Sequence, residues 1–154
     1  MSIEAFQSKI SIVTDAIHEM PLDKTLETYL NREFPAAGET FKSIRKACLK
    51  GAEEGWLCQH EAAGIRFGRV IKPEQATRGF SIDVVRMADI KGPHHSHPKG
   101  EIDMIMPLDE RARFDGQPEG WLVYPANSAH KPTVSDGAAL VLYLLPDGEI
   151  VFSR

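Results

Sequence analysis

The 154-residue sequence predicts a mainly β protein, an antiparallel sandwich or barrel preceded by a helical segment. Three observations carry that reading. Apolar residues recur at helical spacing only ahead of Trp56. Beyond it come short runs rich in β-branched and aromatic residues, bounded by Gly, Pro and Asp. No helical pattern separates those runs, which excludes a parallel sheet built from βαβ units. Residues 1–55 are therefore expected to form helices packed on a β-barrel of residues 56–154, one structural domain overall.

In the first helix Ile3, Phe6, Ile10, Val13 and Ile17 step by three and four, one stripe of a helix that ends before Pro21. A second helix is expected over 23–34, with Leu26, Tyr29 and Leu30 on its buried side, broken by Pro35 and Gly38. A third carries Phe41, Ile44, Cys48, Leu49 and Ala52 and ends at Gly51 or Gly55. Strands are expected over 64–71, 80–87, 101–106, 121–124 and 139–145. Turns are expected at Lys91-Gly92-Pro93, Pro98-Lys99-Gly100, Asp115-Gly116 and Asp136-Gly137. Pro146-Asp147-Gly148 is expected to turn a hairpin into a terminal strand over 149–152.

A net charge of −4 with no Lys/Arg run argues against nucleic acid or an anionic membrane as partner. Neither a signal-peptide pattern nor a membrane-length apolar run occurs, so a cytoplasmic protein is expected. Cys48 and Cys58, expected in a helix and a strand, form no metal-spaced pair and read as reduced thiols.

The chemistry concentrates in Gly92-Pro93-His94-His95-Ser96-His97-Pro98-Lys99-Gly100-Glu101. Strand alternation points His95 and His97 one way and His94 the other. A turn at Pro98-Lys99-Gly100 returns the Glu101 carboxylate toward the two imidazoles. Downstream, Pro125-Ala126-Asn127-Ser128-Ala129-His130 brings a further nitrogen donor, with Asn127 where a left-handed residue is wanted. Three imidazoles and a carboxylate converging in an apolar interior would be costly to bury unpaired, and a dication satisfies them together. Mixed N/O ligation does not choose among Fe(II), Mn, Ni and Zn, and the absence of thiolates argues against a structural zinc site.

Asp103 shares the face of Glu101, as an orienting or proton-transfer group. Arg66 and Arg69 sit on opposite faces of their strand, and one of them could pair with an anionic substrate. Tyr124, Lys131 and His94 are further candidate pocket residues. Trp121, Phe114, Met104 and Met106 either line an aromatic-sized cavity or belong to the core.

His-x-His-x3-Glu followed about thirty residues later by Pro-x-Gly-x2-His is the two-part signature of the cupin superfamily. This sequence resembles it with His95, His97 and Glu101, then Pro125, Asn127 and His130. It departs in having Gly92 close to the first motif, Asn127 for the second-motif glycine, and Val134 where an asparagine usually follows. The strings GIRFGRVIKP, GPHHSHPKGEIDMIMP, FDGQPEGWLVYPANSAHKPTV and LVLYLLPDGEIVF resemble a small cupin family containing 4-hydroxylaminobenzoate lyases. The resemblance implies a jelly-roll-like barrel, one divalent metal ion on His95, His97, Glu101 and His130, and a homodimer. It also implies conversion of 4-hydroxylaminobenzoate to 3,4-dihydroxybenzoate and ammonia. Glu101 or Asp103 would move protons, and Arg66 or Arg69 would hold the carboxylate of the small aromatic substrate. A cupin dioxygenase or isomerase, and a non-catalytic small-molecule binding barrel, are the alternatives.

Overall fold

A computed structural model describes residues 2–153. Three helices open the chain: α1 (Ile3–Ile17), α2 (Lys24–Glu33) and α3 (Glu39–Glu54). Side chains start the first two, the Ser2 hydroxyl accepting from the Ala5 amide and Asp23 from the Leu26 amide. Gly55, at φ +86°, closes α3 in the left-handed conformation that glycine tolerates best.

Ten strands follow: β1 (His60–Ala62), β2 (Ile65–Ile71), β3 (Phe80–Lys91), β4 (His95–His97), β5 (Glu101–Pro107), β6 (Arg113–Phe114), β7 (Gly120–Tyr124), β8 (Ser128–His130), β9 (Thr133–Pro146) and β10 (Val151–Phe152). The larger sheet has the order β1-β2-β3-β9-β5-β7, with β6 also paired to β9, and the smaller has the order β10-β4-β8. All pairings are antiparallel, as the turn-rich sequence predicts. The two sheets are not hydrogen-bonded into a closed cylinder, so the expected barrel is an open jelly-roll-like sandwich.

Alternation divides the larger sheet into two faces. Ile82, Val84, Ile102, Met104, Leu142 and Leu144 pack against the helix stripe of Phe6, Ile10, Leu26, Leu30, Phe41 and Ile44. Asn31 of α2 bonds both polar groups of the Trp121 backbone, its amide to the carbonyl at 3.0 Å and its oxygen to the N–H at 2.9 Å. The opposite, inner face carries Val85, Met87, Ile105, Val141, Tyr143 and Leu145. This is the face turned toward the smaller sheet.

Three expectations need correction. Asp136-Gly137 is not a turn between strands. It is a bulge within β9, where the register against β3 shifts between Ala88 and Ile90. The terminal strand does not pair back on β9, because β10 joins β4 in the smaller sheet. Cys58 lies in a bend beyond α3 rather than a strand, and both cysteines are buried and free.

Candidate metal centre

Local backbone rules bring the four anticipated donors together from both sheets. β4 and β8 pair in register, His95 opposite His130 and His97 opposite Ser128. Asn127, at φ 64°, takes the left-handed conformation expected of it, and its amide donates to the His97 carbonyl at 2.8 Å. Gly100 turns the chain from the smaller sheet into β5 at φ +93°. A Cβ there would lie 2.8 Å from the Tyr124 carbonyl oxygen and 2.7 Å from Leu22 Cδ2. Glycine is thus required both for its dihedral and for its size.

The result is a buried cluster of three Nε2 atoms around one carboxylate. His95 Nε2 and His97 Nε2 lie 3.4 Å and 3.2 Å from Glu101 Oε1, and His130 Nε2 lies 3.3 Å from Oε2. His130 Nε2 is 3.0 Å from His95 Nε2. One donor atom from each residue falls within 4.8 Å of the others.

Outer partners fix how the imidazoles are presented. The Ser128 hydroxyl donates its single proton to the Pro125 carbonyl at 2.6 Å. It must therefore accept from His97 Nδ1–H at 2.9 Å, which leaves the His97 Nε2 lone pair facing Glu101. His130 Nδ1 donates to Asp115 Oδ2 at 2.6 Å, and the Tyr124 hydroxyl donates to the same oxygen at 2.5 Å. The other Asp115 oxygen accepts from the Thr133 amide at 2.9 Å. Such carboxylate and hydroxyl partners are what orient metal-binding histidines.

Two acceptors, the His97 Nε2 lone pair and a Glu101 oxygen, thus face each other without a proton between them, and both are buried without a hydrogen-bond partner. That arrangement is unfavourable unless a cation lies between the donors. Three neutral imidazole nitrogens and a carboxylate suit a divalent ion, so the donor set fits one, and these four residues could hold it.

Without a metal, protons play the compensating part. Burial pushes the Glu101 carboxyl up, but the His130, His95 and His97 imidazoles and Asp103 packed around it outweigh burial and hold it well below the ordinary range. Burial lowers His130, yet its bonds to Asp115 and Glu101 prevail and raise it to about 9. Asp103 is driven well above the usual carboxylate range by burial and then by the Glu101 charge, so it keeps its proton.

A cavity of about 790 Å³ opens beside the cluster between the two sheets, with His95 and Tyr143 in its wall. Phe67, Val85, Met87 and Phe152 make much of the remainder apolar. Arg69 also lines it. Its guanidinium grips Asp83 through Nε at 2.8 Å and Nη2 at 3.2 Å, and Nη2 also donates to the Gly148 carbonyl at 3.1 Å.

The remaining anticipated residues are placed elsewhere. Arg66 lies opposite Arg86 on the other face of the sheet and is exposed, so it is not a cavity residue. Tyr124 does not line the cavity either. It lies behind the imidazoles, its ring centroid 4.4 Å from that of His130, and holds Asp115. Lys131 is exposed outside the cavity wall. His94 points away from the cluster, as alternation requires, and its Nδ1 bonds Ser153 Oγ at 2.5 Å. Trp121, Met104 and Met106 belong to the core under the helices, and Phe114 packs at 6.2 Å from the His130 ring.

Sequence reading overlooked Asp115, Ser128, Asp83 and Tyr143. Asp115 reads only as a turn residue ahead of Gly116, and its left-handed φ of 49° agrees with that. Tyr143 is hidden within the apolar run LVLYLLP. Alternation from Val141, a fellow inner-face residue, was the available signal.

A family profile described as PnbB: 4-hydroxylaminobenzoate lyase matches residues 8–152. A 4-hydroxylaminobenzoate lyase of Pseudomonas putida is 34% identical over 151 residues, covering 84% of this chain and 86% of the relative. A second, from Nocardioides sp. strain LMS-CY, is 32% identical over 136 residues, covering 82% and 80%. Among solved structures, an RmlC-like cupin protein from Ralstonia eutropha aligns over 60% of this chain and 62% of its own, with a TM-score of 0.43 and 14% identity.

Proposed function

This chain belongs to the 4-hydroxylaminobenzoate lyase family, and from that premise we propose that it is a metal-dependent lyase converting 4-hydroxylaminobenzoate and water to 3,4-dihydroxybenzoate and ammonia. The reaction balances with one water and calls for no external oxidant. The observation that carries the metal dependence is the donor cluster, where buried lone pairs of His97 and Glu101 face each other unpartnered. His95, His97, Glu101 and His130 would hold the ion. When bound, it supplies Lewis acidity at the inner end of the cavity.

The chain's own residues account for the rest. The apolar walls accept the aromatic ring and exclude water from its faces. Arg69 is the cavity-lining arginine, and Asp83 fixes its guanidinium plane, so this guanidinium is the group offered to the ring carboxylate. By register Arg69 lies opposite Asp83, Asp83 opposite Tyr143, and Tyr143 opposite Asp103. That row carries the substrate's long axis from the arginine toward the histidines. Of the two carboxyls on β5, Glu101 is surrounded by imidazoles, which leaves Asp103 to hold a proton at its carboxyl and pass it on.

The test is anaerobic incubation of the protein, loaded in turn with Fe(II), Mn, Ni and Zn, with 4-hydroxylaminobenzoate. Equal amounts of ammonia and 3,4-dihydroxybenzoate are expected with at least one metal. Ammonia from none of them would remove the lyase assignment, and oxygen uptake on catechol-like rings would favour a dioxygenase.

A further inference from the structure

Tyr143 stands in the middle of the inner face and is 5% exposed, and what remains accessible looks into the cavity. Its ring centroid is 6.4 Å from those of His95 and Phe114. Buried tyrosine hydroxyls usually find a partner. This one makes no hydrogen bond among the described residues, and burial favours its protonated, donating form. A phenol donor without a partner, on a largely buried ring that lines the cavity, is placed to serve a ligand there.

Position narrows which ligand atom that is. Tyr143 sits one strand from Asp103 and two strands, roughly 10 Å, from Arg69. The substrate carboxylate belongs at the arginine, so the other, oxygen-bearing end of a para-substituted ring falls on the Tyr143 side, two strands away. Its oxygen is the acceptor left. We propose that the Tyr143 hydroxyl donates a hydrogen bond to the hydroxylamino oxygen of the substrate, a role that rests on the lyase reading above and assigns the oxygen-bearing end of the ring to the Tyr143 side of the cavity. The phenol keeps its proton throughout. Its contribution is to orient the N–O bond beside the histidine cluster and to stabilise negative charge developing on oxygen.

Two unreactive probes isolate the contact. 4-(Hydroxymethyl)benzoate carries an oxygen at the position of the hydroxylamino oxygen, and 4-methylbenzoate lacks it. Titration calorimetry on the metal-loaded protein is expected to show the hydroxymethyl compound bound more tightly, by roughly tenfold. Tyr143→Phe is expected to erase that preference and to leave unchanged the affinity for 4-methylbenzoate, the metal content and the melting temperature. A structural role for the hydroxyl would instead lower the melting temperature. If Tyr143→Phe keeps the preference, loses affinity equally for both probes, or the wild type binds neither, the proposal is overturned. Ammonia release with the preference surviving in Tyr143→Phe refutes the hydrogen bond and spares the lyase. A Tyr143-dependent preference without ammonia release supports the hydrogen bond and removes the lyase.

Discussion

Asp115→Asn removes one charge and almost no volume, and it tests how the cluster is held. Asp115 receives three donors: His130 Nδ1 at 2.6 Å, the Tyr124 hydroxyl at 2.5 Å and the Thr133 amide at 2.9 Å. An asparagine has one acceptor oxygen and one donor group in their place. If its oxygen serves Thr133, its NH2 confronts His130, whose ring must then accept at Nδ1 and carry its proton at Nε2. The lone pair now directed at Glu101 and His95 is lost. If the amide flips, the Thr133 amide goes unpaired instead and β9 loosens at its start. The His130–carboxylate bond is charge-assisted, worth about 1.5–3 kcal/mol. Losing the orienting partner of a ligand histidine weakens metal binding about 10- to 100-fold, which is about 1.4–2.7 kcal/mol. Both routes agree on magnitude. Competition for Zn(II) against a chromophoric chelator reads the change. An affinity in Asp115→Asn equal to that of the wild type would refute the claim that Asp115 sets the His130 tautomer.

Two other outcomes follow from the same geometry. Gly100→Ala places a Cβ at φ +93° against the Tyr124 carbonyl oxygen, so a loss of at least about 1–2 kcal/mol is expected in thermal melts, together with reduced metal retention because Glu101 is the next residue. In chelator-treated protein His130 binds its extra proton more tightly folded, at about 9, than unfolded, near the ordinary 6.5. That stabilisation is complete below pH 6.5 and is lost as pH rises through 9, so the urea midpoint of the metal-free protein is expected to fall across this window; a midpoint that rises there contradicts the assignment.

Helix stripes and strand alternation are local properties, and they were readable. Phe6, Ile10, Val13 and Ile17 of the expected stripe form the buried face of α1, with Ile3 exposed at its start, and His95 and His97 share a face while His94 takes the other. Turn chemistry at Gly100 and Asn127 was equally local, because left-handed φ narrows the residue choice. What eluded sequence reading depends on distance in the chain. Asp115 meets His130 fifteen residues later, and Asp83 meets Arg69 fourteen residues earlier, with no spacing rule to announce either pair. Sheet membership of the terminal strand failed for a related reason. A Pro-Asp-Gly turn signals a reversal of the chain but not which sheet receives it, and β10 found the edge of β4. Arg66 and Arg69 were separable by alternation, but only the fold shows which face borders the cavity.

Metal content of the purified chain and of His97→Ala tests the central claim most directly. Elemental analysis after loading and desalting is expected to give one divalent ion per chain for the wild type and close to none for His97→Ala. Circular dichroism should show both proteins folded. Equal metal in the two would contradict the account, since His97 Nε2, at 3.2 Å from Glu101, would then not be part of what holds the ion.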